Sequence, residues 1–295
     1  MVEKGASRLL KTKIKVLFSD LDGTLLSPRS WLWGKVRTHT LSTLGTFLDD
    51  GEHHLILATG RNITRAKVIS DWLEERLGGY KIPYLICLNG GTLVNNETGE
   101  VIYSKCFKVS KLWELIKFVR RNFLAVFMIF TSDNQLFTEN NWISKCFARK
   151  FSKKYGAEVK FVELFDLEGN WENIQKVMFI SLHRNSEKLR AMLEAKFSEF
   201  YVSTHGGWLL EVIDKKINKF YAIEEILKIE KNWNLRECCG AGNEGNDLMM
   251  IQECGFGVAV DFHSKKSFKY NPELINFHTT NKDGKAIARA LLENF

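Results

Sequence analysis

Two aspartates, Asp20 and Asp22, stand two residues apart in Phe18-Ser19-Asp20-Leu21-Asp22-Gly23-Thr24-Leu25-Leu26. The run before them, Lys13-Ile14-Lys15-Val16-Leu17, is β-branched and apolar and reads as a buried strand. Open α/β sheets bind their ligands just outside the carboxyl ends of such strands. Two carboxylates this close repel each other and need a cation, a proton or a phosphate-derived electrophile nearby. Gly23 lets the chain turn tightly behind them, and Thr24 adds a hydroxyl. Asp-x-Asp-Gly alone is also the composition of a solvated acidic turn. The apolar strand in front and Gly-Thr-Leu behind argue for a site.

Other polar residues fall at comparable places. Thr59-Gly60-Arg61 follows the apolar run His54-Leu55-Ile56-Leu57-Ala58, and Asn89-Gly90-Gly91 follows Pro83-Tyr84-Leu85-Ile86-Cys87-Leu88. Lys219 opens a helical pattern, and Gly242-Asn243-Glu244-Gly245-Asn246-Asp247 follows Cys238 to Gly242, which looks like the end of a short strand. Singly these are ambiguous: Thr59 could cap a helix, and Lys219 could be a solvated lysine.

The elements that must hold these residues come in two styles. Leu41, Leu44, Phe47 and Leu48 have helical spacing within 30–50, with Gly51 as a stop. Ile63, Ala66, Ile69, Leu73 and Leu77 mark a second helix ending at Gly78-Gly79. Strand, helix, strand, helix, strand with polar strand ends describes a doubly wound parallel sheet. After Gly91 the pattern changes. A hairpin is expected over 92–103, with Asn95-Asn96-Glu97-Thr98-Gly99 as its turn. A helix over 109–121, strands over 123–131 and 135–138, a helix over 141–155, strands over 158–165 and 176–182, a helix over 186–197 and a strand over 199–204 follow. That is the order of an antiparallel α+β unit, so 92–205 reads as a domain inserted into the first. The parallel pattern is expected to resume at Trp208-Leu209-Leu210-Glu211-Val212, with helices over 217–229, 248–253 and 285–292 and a strand over 257–260.

Composition limits the function classes. The chain has 295 residues, 45% hydrophobic and 26% charged, as in soluble globular proteins. Its three prolines leave no Pro-rich linker. The net charge of +7 is spread among acidic residues and reads as a solvated basic surface, with only weak, non-specific attraction for nucleic acid. The six cysteines form no C-x-x-C pair and read as free thiols of a reducing compartment, the cytoplasm. The longest apolar stretch, 123–130, is far too short to span a membrane. Residues 1–15 are basic without an apolar segment, which argues against a secretory signal. The seven histidines show no H-x-x-x-H spacing, against a zinc site. Gly240-Ala241-Gly242-Asn243-Glu244-Gly245 matches G-x-G-x-x-G, but the strand before it is short and polar at Arg236-Glu237, against a dinucleotide site.

Together, Asp20-Leu21-Asp22-Gly23-Thr24, Ala58-Thr59-Gly60-Arg61, Leu88-Asn89-Gly90-Gly91, Glu211-Val212-Ile213 through Lys219, Gly242-x-x-x-Asn246-Asp247 and the late Asp283-Gly284 match a family pattern. The chain resembles the haloacid dehalogenase superfamily, and within it the Cof-type group with a class IIB cap, over about residues 13–292. The resemblance implies a Rossmann-like, doubly wound parallel core (1–91 and 206–295) with an inserted α+β cap (92–205). It implies a phosphatase of small phosphorylated metabolites, such as sugar phosphates, that uses Mg2+. Asp20 would be the nucleophile and Asp22 the acid and base. Thr59, Gly60 and Lys219 would hold the phosphoryl group, and Arg61, Asn89 and Gly90 the substrate. Asp20, Asp22, Asn243, Asn246 and Asp247 would serve the metal. The partner expected is a small metabolite, with no specific nucleic acid and no membrane, on a monomer or weak homodimer. The same residues serve phosphomutases, and the resemblance does not separate the two outcomes.

One position departs from the pattern. The family usually has aspartate directly after the glycine of the last motif, and this chain has Asn243. An amide oxygen can bind Mg2+ but carries no full charge, so weaker metal binding is expected. A catalytically impaired binding or regulatory protein is the alternative this residue raises.

Overall fold

The structure, a computed structural model, describes residues 14–27, 36–132, 135–155, 157–163, 173–183, 185–205, 207–262 and 270–295. The start of the helix expected from residue 30, the end of the strand expected to reach 165 and most of 1–15 lie outside the described residues. The chain divides into two compact units. One comprises Met1–Thr59, Ser70–Tyr84 and Ile223–Phe295; the other comprises Gly60–Ile69 and Leu85–Ala222.

The first unit is built on parallel strands in the order β14-β13-β12-β1-β2. These are β1 (Val16–Ser19), β2 (His54–Ala58), β12 (Cys238–Gly242), β13 (Phe256–Val260) and β14 (Phe277–Thr279). All four residues of β1 and all five of β12 are buried. That burial is why parallel strands read as continuous apolar runs. Helix α1 (Thr38–Leu48) packs on α8 (Ala286–Asn294), and α7 (Leu248–Glu253) packs on β12 and β13. Gly240 and Gly257 allow that approach. A Cβ at Gly240 would lie 2.4 Å from the Met250 carbonyl oxygen, and one at Gly257 would lie 2.1 Å from that of Ile251.

Helix α2 (Ile63–Arg76) and β3 (Tyr84–Cys87) lead into the second unit. Strands β4 (Thr92–Asn95) and β5 (Val101–Ser104) form the expected antiparallel hairpin, with a register shift at Leu93/Val94. A six-stranded sheet follows in the order β10-β11-β9-β6-β7-β8. Its strands are β6 (Ala125–Thr131), β7 (Gln135–Glu139), β8 (Glu158–Val162), β9 (Ile174–Ser181), β10 (Phe200–His205) and β11 (Leu209–Asp214). Helices α3 (Val109–Asn122) and α5 (Ser186–Lys196) cover one face, burying Leu115, Ile116, Leu189 and Leu193 against Phe127, Val177 and Phe179. On the other face, Ala148 and Phe151 of α4 (Trp142–Tyr155) meet Val126, Met128 and Met178. Coverage of both faces explains the unbroken apolar run at 123–130.

Two sequence expectations change here. The 208–212 segment does not resume the parallel pattern: β11 pairs antiparallel with both β10 and β9. The sheet is also not purely antiparallel, because β7 and β8 run parallel. Helix α6 (Lys219–Ile229) closes the second unit and continues into the first. Among the described residues no helix is long and apolar enough to cross a membrane. The cysteines are free thiols, with Cys87, Cys238, Cys239 and Cys254 buried.

Candidate active site

In the first unit, β1 lies between β2 and β12, with Ser19 opposite both Leu57 and Ala241. Asp20, Thr59 and Asn243 therefore leave three adjacent parallel strands at the same end. The β1–β12 ladder runs one residue past the strand, since the Asp20 N–H donates to the Ala241 carbonyl at 2.9 Å. The chain then winds tightly. The Leu25 N–H donates to the Asp20 carbonyl (3.2 Å), and the Leu26 N–H to that of Leu21 (2.8 Å). This turn separates the two aspartates: Asp20 is buried, whereas Asp22 is exposed. Thr59 is buried as well.

Gly23 makes the turn possible. Its φ of +92° belongs to the region that favours glycine, and a Cβ there would stand 2.2 Å from the Asn243 Nδ2. The loops after β1 and β12 thus touch at a point where only a hydrogen fits. Asn243 itself is buried, and its Oδ1 has no hydrogen-bond partner among the described residues. Asp247 organises the second loop. Its Oδ2 accepts from the backbone N–H groups of Asn243 and Glu244, at 2.9 Å each. Gly242 must be glycine here, because a Cβ would lie 2.3 Å from that of Asp247. Asn246 is half-buried and Glu244 exposed.

These residues fit a hard divalent cation. A buried amide oxygen lacking a partner among the described residues and a buried carboxylate emerge at neighbouring strand ends, and oxygen donors are what Mg2+ takes. No group of three or more His, Cys, Asp and Glu residues able to hold a metal occurs among the described residues. A set containing Asn243 falls outside that composition.

The second unit holds Gly60, Arg61, Asn89, Gly90 and Lys219. Leu88, Asn89 and Gly90 take φ values of +52°, +60° and +93° in succession, a sharply wound loop after β3. The Leu88 N–H donates to the Arg61 carbonyl (2.9 Å), and the Tyr103 hydroxyl to that of Gly90 (2.8 Å). Gly90 lies against the start of α6, where a Cβ would meet the Asn218 carbonyl oxygen at 2.1 Å. Asn218 caps α6, its Oδ1 accepting from the Tyr221 N–H at 3.0 Å. Lys219, the next residue, is fully buried, rare for a lysine without a dedicated role. Asn62 caps α2, its Oδ1 accepting from the Arg65 N–H at 3.0 Å.

One residue escaped the sequence reading. Asn281 is fully buried in the first unit, and its Nδ2 donates to the carbonyls of Thr24 (2.9 Å) and Leu26 (3.0 Å). Its Oδ1 accepts from the Ala286 N–H (3.2 Å), tying the Asp20 loop to the start of α8. Its position two residues before Asp283-Gly284 was the available signal.

The sequence model of the haloacid dehalogenase-like hydrolase family matches residues 17–291. The chain belongs to that family. Membership makes it a hydrolase and removes the dinucleotide reading; Gly240 and Gly242 serve close packing on Met250 and Asp247. A Haemophilus influenzae protein named "Putative phosphatase" is 26% identical over 248 residues, covering 83% of this chain and 85% of its own. A haloacid dehalogenase-like hydrolase from Bacteroides thetaiotaomicron shares the fold at a TM-score of 0.70 and 20% identity, over 96% of this chain and 100% of its own. The subclass IIB sugar phosphatase BT4131 does so at 0.67 and 19%, over 95% and 100%.

Proposed function

We propose that this hydrolase is a Mg2+-dependent phosphatase that cleaves small phosphorylated metabolites, sugar phosphates among them, through an aspartyl-phosphate on Asp20. The observation that carries the reading is the split of one Asp-x-Asp pair into a buried Asp20 and an exposed Asp22 at the end of β1. An acid that attacks benefits from a fixed position, and an acid that exchanges protons benefits from access to water.

The Asp20 carboxylate attacks phosphorus, the ester P–O bond breaks, and the leaving oxygen takes the Asp22 proton. Asp22 then removes a proton from water, which attacks the same phosphorus and releases inorganic phosphate, restoring Asp20. Thr59 and the Gly60 backbone hold phosphoryl oxygens, and the buried Lys219 ammonium balances the charge that grows on them. Arg61, Asn89 and Gly90 bind the rest of the substrate. Asp20, the Asp22 backbone carbonyl and Asn243 would hold the ion, with Asn246 and Asp247 supporting that loop. Mg2+ offsets the repulsion between a carboxylate and a phosphate dianion.

The division of labour proposed is a core at 1–91 and 206–295 and a cap at 92–205. The pairing of β11 with β9 and β10 favours drawing the return to the core after Asp214. The enzyme is proposed to act in the cytoplasm as a monomer or weak homodimer. Asn243 favours a second reading, an impaired member that binds phosphate esters without turning them over.

A panel of sugar phosphates and other phosphate monoesters, assayed for phosphate release with and without millimolar-scale Mg2+, tests the reading. Mg2+-dependent release from at least one ester is expected. Release from none, by the wild type and by Asn243→Asp, overturns it in favour of the second reading.

A further inference from the structure

We infer that Glu211, braced by Lys176, is a positioning residue that sets the side chain of Asn89. The inference rests on the reading that Asn89 contacts substrate. All three residues lie in the second unit. The Asn89 Nδ2 donates to the Glu211 Oε1 at 3.0 Å, and the Lys176 Nζ stands 3.5 Å from the same oxygen. Sheet register explains the meeting. Glu211 on β11 is opposite Met178 on β9, so Lys176 is its diagonal neighbour on the same face. The side chains of Lys176 and Glu211 are only 4% and 14% exposed. An ion pair so far out of water adds little net stability, because desolvating two charges offsets most of their attraction. The Lys176 ammonium also stands 5.1 Å from the centre of the Phe130 ring, a residue paired with it across β6 and β9.

The other end of this chain of contacts is Gly60, also in the second unit. A Cβ at Gly60 would lie 2.7 Å from the Asn89 Oδ1, so that oxygen lies directly against the Gly60 backbone. With Nδ2 committed to the Glu211 Oε1, the amide keeps one orientation, which leaves the oxygen end on Gly60. The left-handed backbone at Leu88 and Asn89 gives that side chain its direction, a strained conformation that persists only where the surroundings impose it. Glu211 thus acts through Asn89, and Lys176 holds Glu211 in place.

The test combines a spectroscopic and a kinetic measurement on the full chain. The Asn89 side-chain amide protons are identified by NMR as those lost in Asn89→Ala. Glu211→Ala is expected to shift them toward solvent-like values, and Glu211→Gln, which keeps an acceptor, to shift them less. If they do not move in Glu211→Ala, the inference is overturned whether or not the protein is a phosphatase. On the best ester of the panel, Glu211→Ala should lower kcat/KM about tenfold in the wild-type background and less than about twofold in the Asn89→Ala background, as for two residues acting as one unit. Glu211→Gln should recover part of the loss. Additive losses, or a loss that follows melting temperature alone in all variants, reduce Glu211 to a structural residue and overturn the inference. A wild type inactive on every ester overturns the phosphatase reading instead, and the NMR result then decides the positioning of Asn89 by itself.

Discussion

Asn281 holds the loop of Asp20 from a position more than 250 residues along the chain, its amide donating to the carbonyls of Thr24 and Leu26. Both carbonyls lie in the turn that separates Asp20 from Asp22. Replacing Asn281 by Ala leaves them without their donor inside the protein, where each buried unsatisfied group costs about 1–3 kcal/mol. Asn281→Ala should therefore lose roughly 2–3 kcal/mol in urea unfolding. Phosphate release should fall by more than the fraction unfolded explains. A loss under about 0.5 kcal/mol, the size of an ordinary surface change, contradicts this placement.

Gly23 gives a second, sharper case. An alanine there must adopt a φ of +92° and put its Cβ where Asn243 Nδ2 now lies. The backbone cost alone is about 1–2 kcal/mol. Gly23→Ala should fold, with turnover reduced by at least about tenfold, or about 1.4 kcal/mol of barrier. A variant that loses stability but keeps full specific activity would separate Gly23 and Asn243 from the chemistry.

Asn243→Asp restores a full charge at a buried position whose amide oxygen lacks a hydrogen-bond partner among the described residues. The Mg2+ concentration for half-maximal activity is expected to fall roughly tenfold, equal to about 1.4 kcal/mol of binding. An unchanged or higher requirement removes Asn243 from the ligand set. Chelating the metal should abolish phosphate release in both proteins and restore it on adding Mg2+ back.

Thiol chemistry checks the packing of the first unit and of β3. Burial pushes the Cys87 and Cys238 thiols up to about 12, and burial raises Cys239 and Cys254 too. The reactive thiolate is therefore scarce at these sites at pH 8. Iodoacetamide at that pH should label the exposed Cys146 first and the half-buried Cys106 more slowly. The four buried thiols should label only on unfolding. Rapid native labelling of Cys239 would mean that β12 is not packed as described.

Much of this was legible along the chain, for local reasons. β2 spans its apolar run and α7 fills its expected span, whereas the strand expected to include Arg236-Glu237 begins only at Cys238, after a 3-10 turn over Leu235–Glu237. The pairing direction of β11 was not legible, because an apolar run buried on both faces looks the same in a parallel or an antiparallel sheet. Strand β14 has three half-buried residues and too few to show a period. At the site, the Asp-x-Asp pair drew attention to Asp20 and Asp22, and the family resemblance added Lys219 and Asn243. They gave no sign that Lys219 is wholly buried, that Asn243 abuts Gly23, or that Asn281 secures the loop. Those facts arise from contacts between distant segments. The caps at Asn62 and Asn218 are local and could have been read from an asparagine standing just ahead of each helix.

The central claim is a phosphoryl group carried on Asp20. The most direct measurement quenches the enzyme during turnover, reduces it with borohydride and maps the peptides by mass spectrometry. An acyl phosphate on Asp20 is reduced to the alcohol, leaving homoserine at position 20. Homoserine at that position alone, formed only with substrate and Mg2+ present and absent from an Asp20→Asn variant that no longer releases phosphate, is the result predicted. No conversion at Asp20 during turnover, or phosphate release that continues in Asp20→Asn, would contradict it.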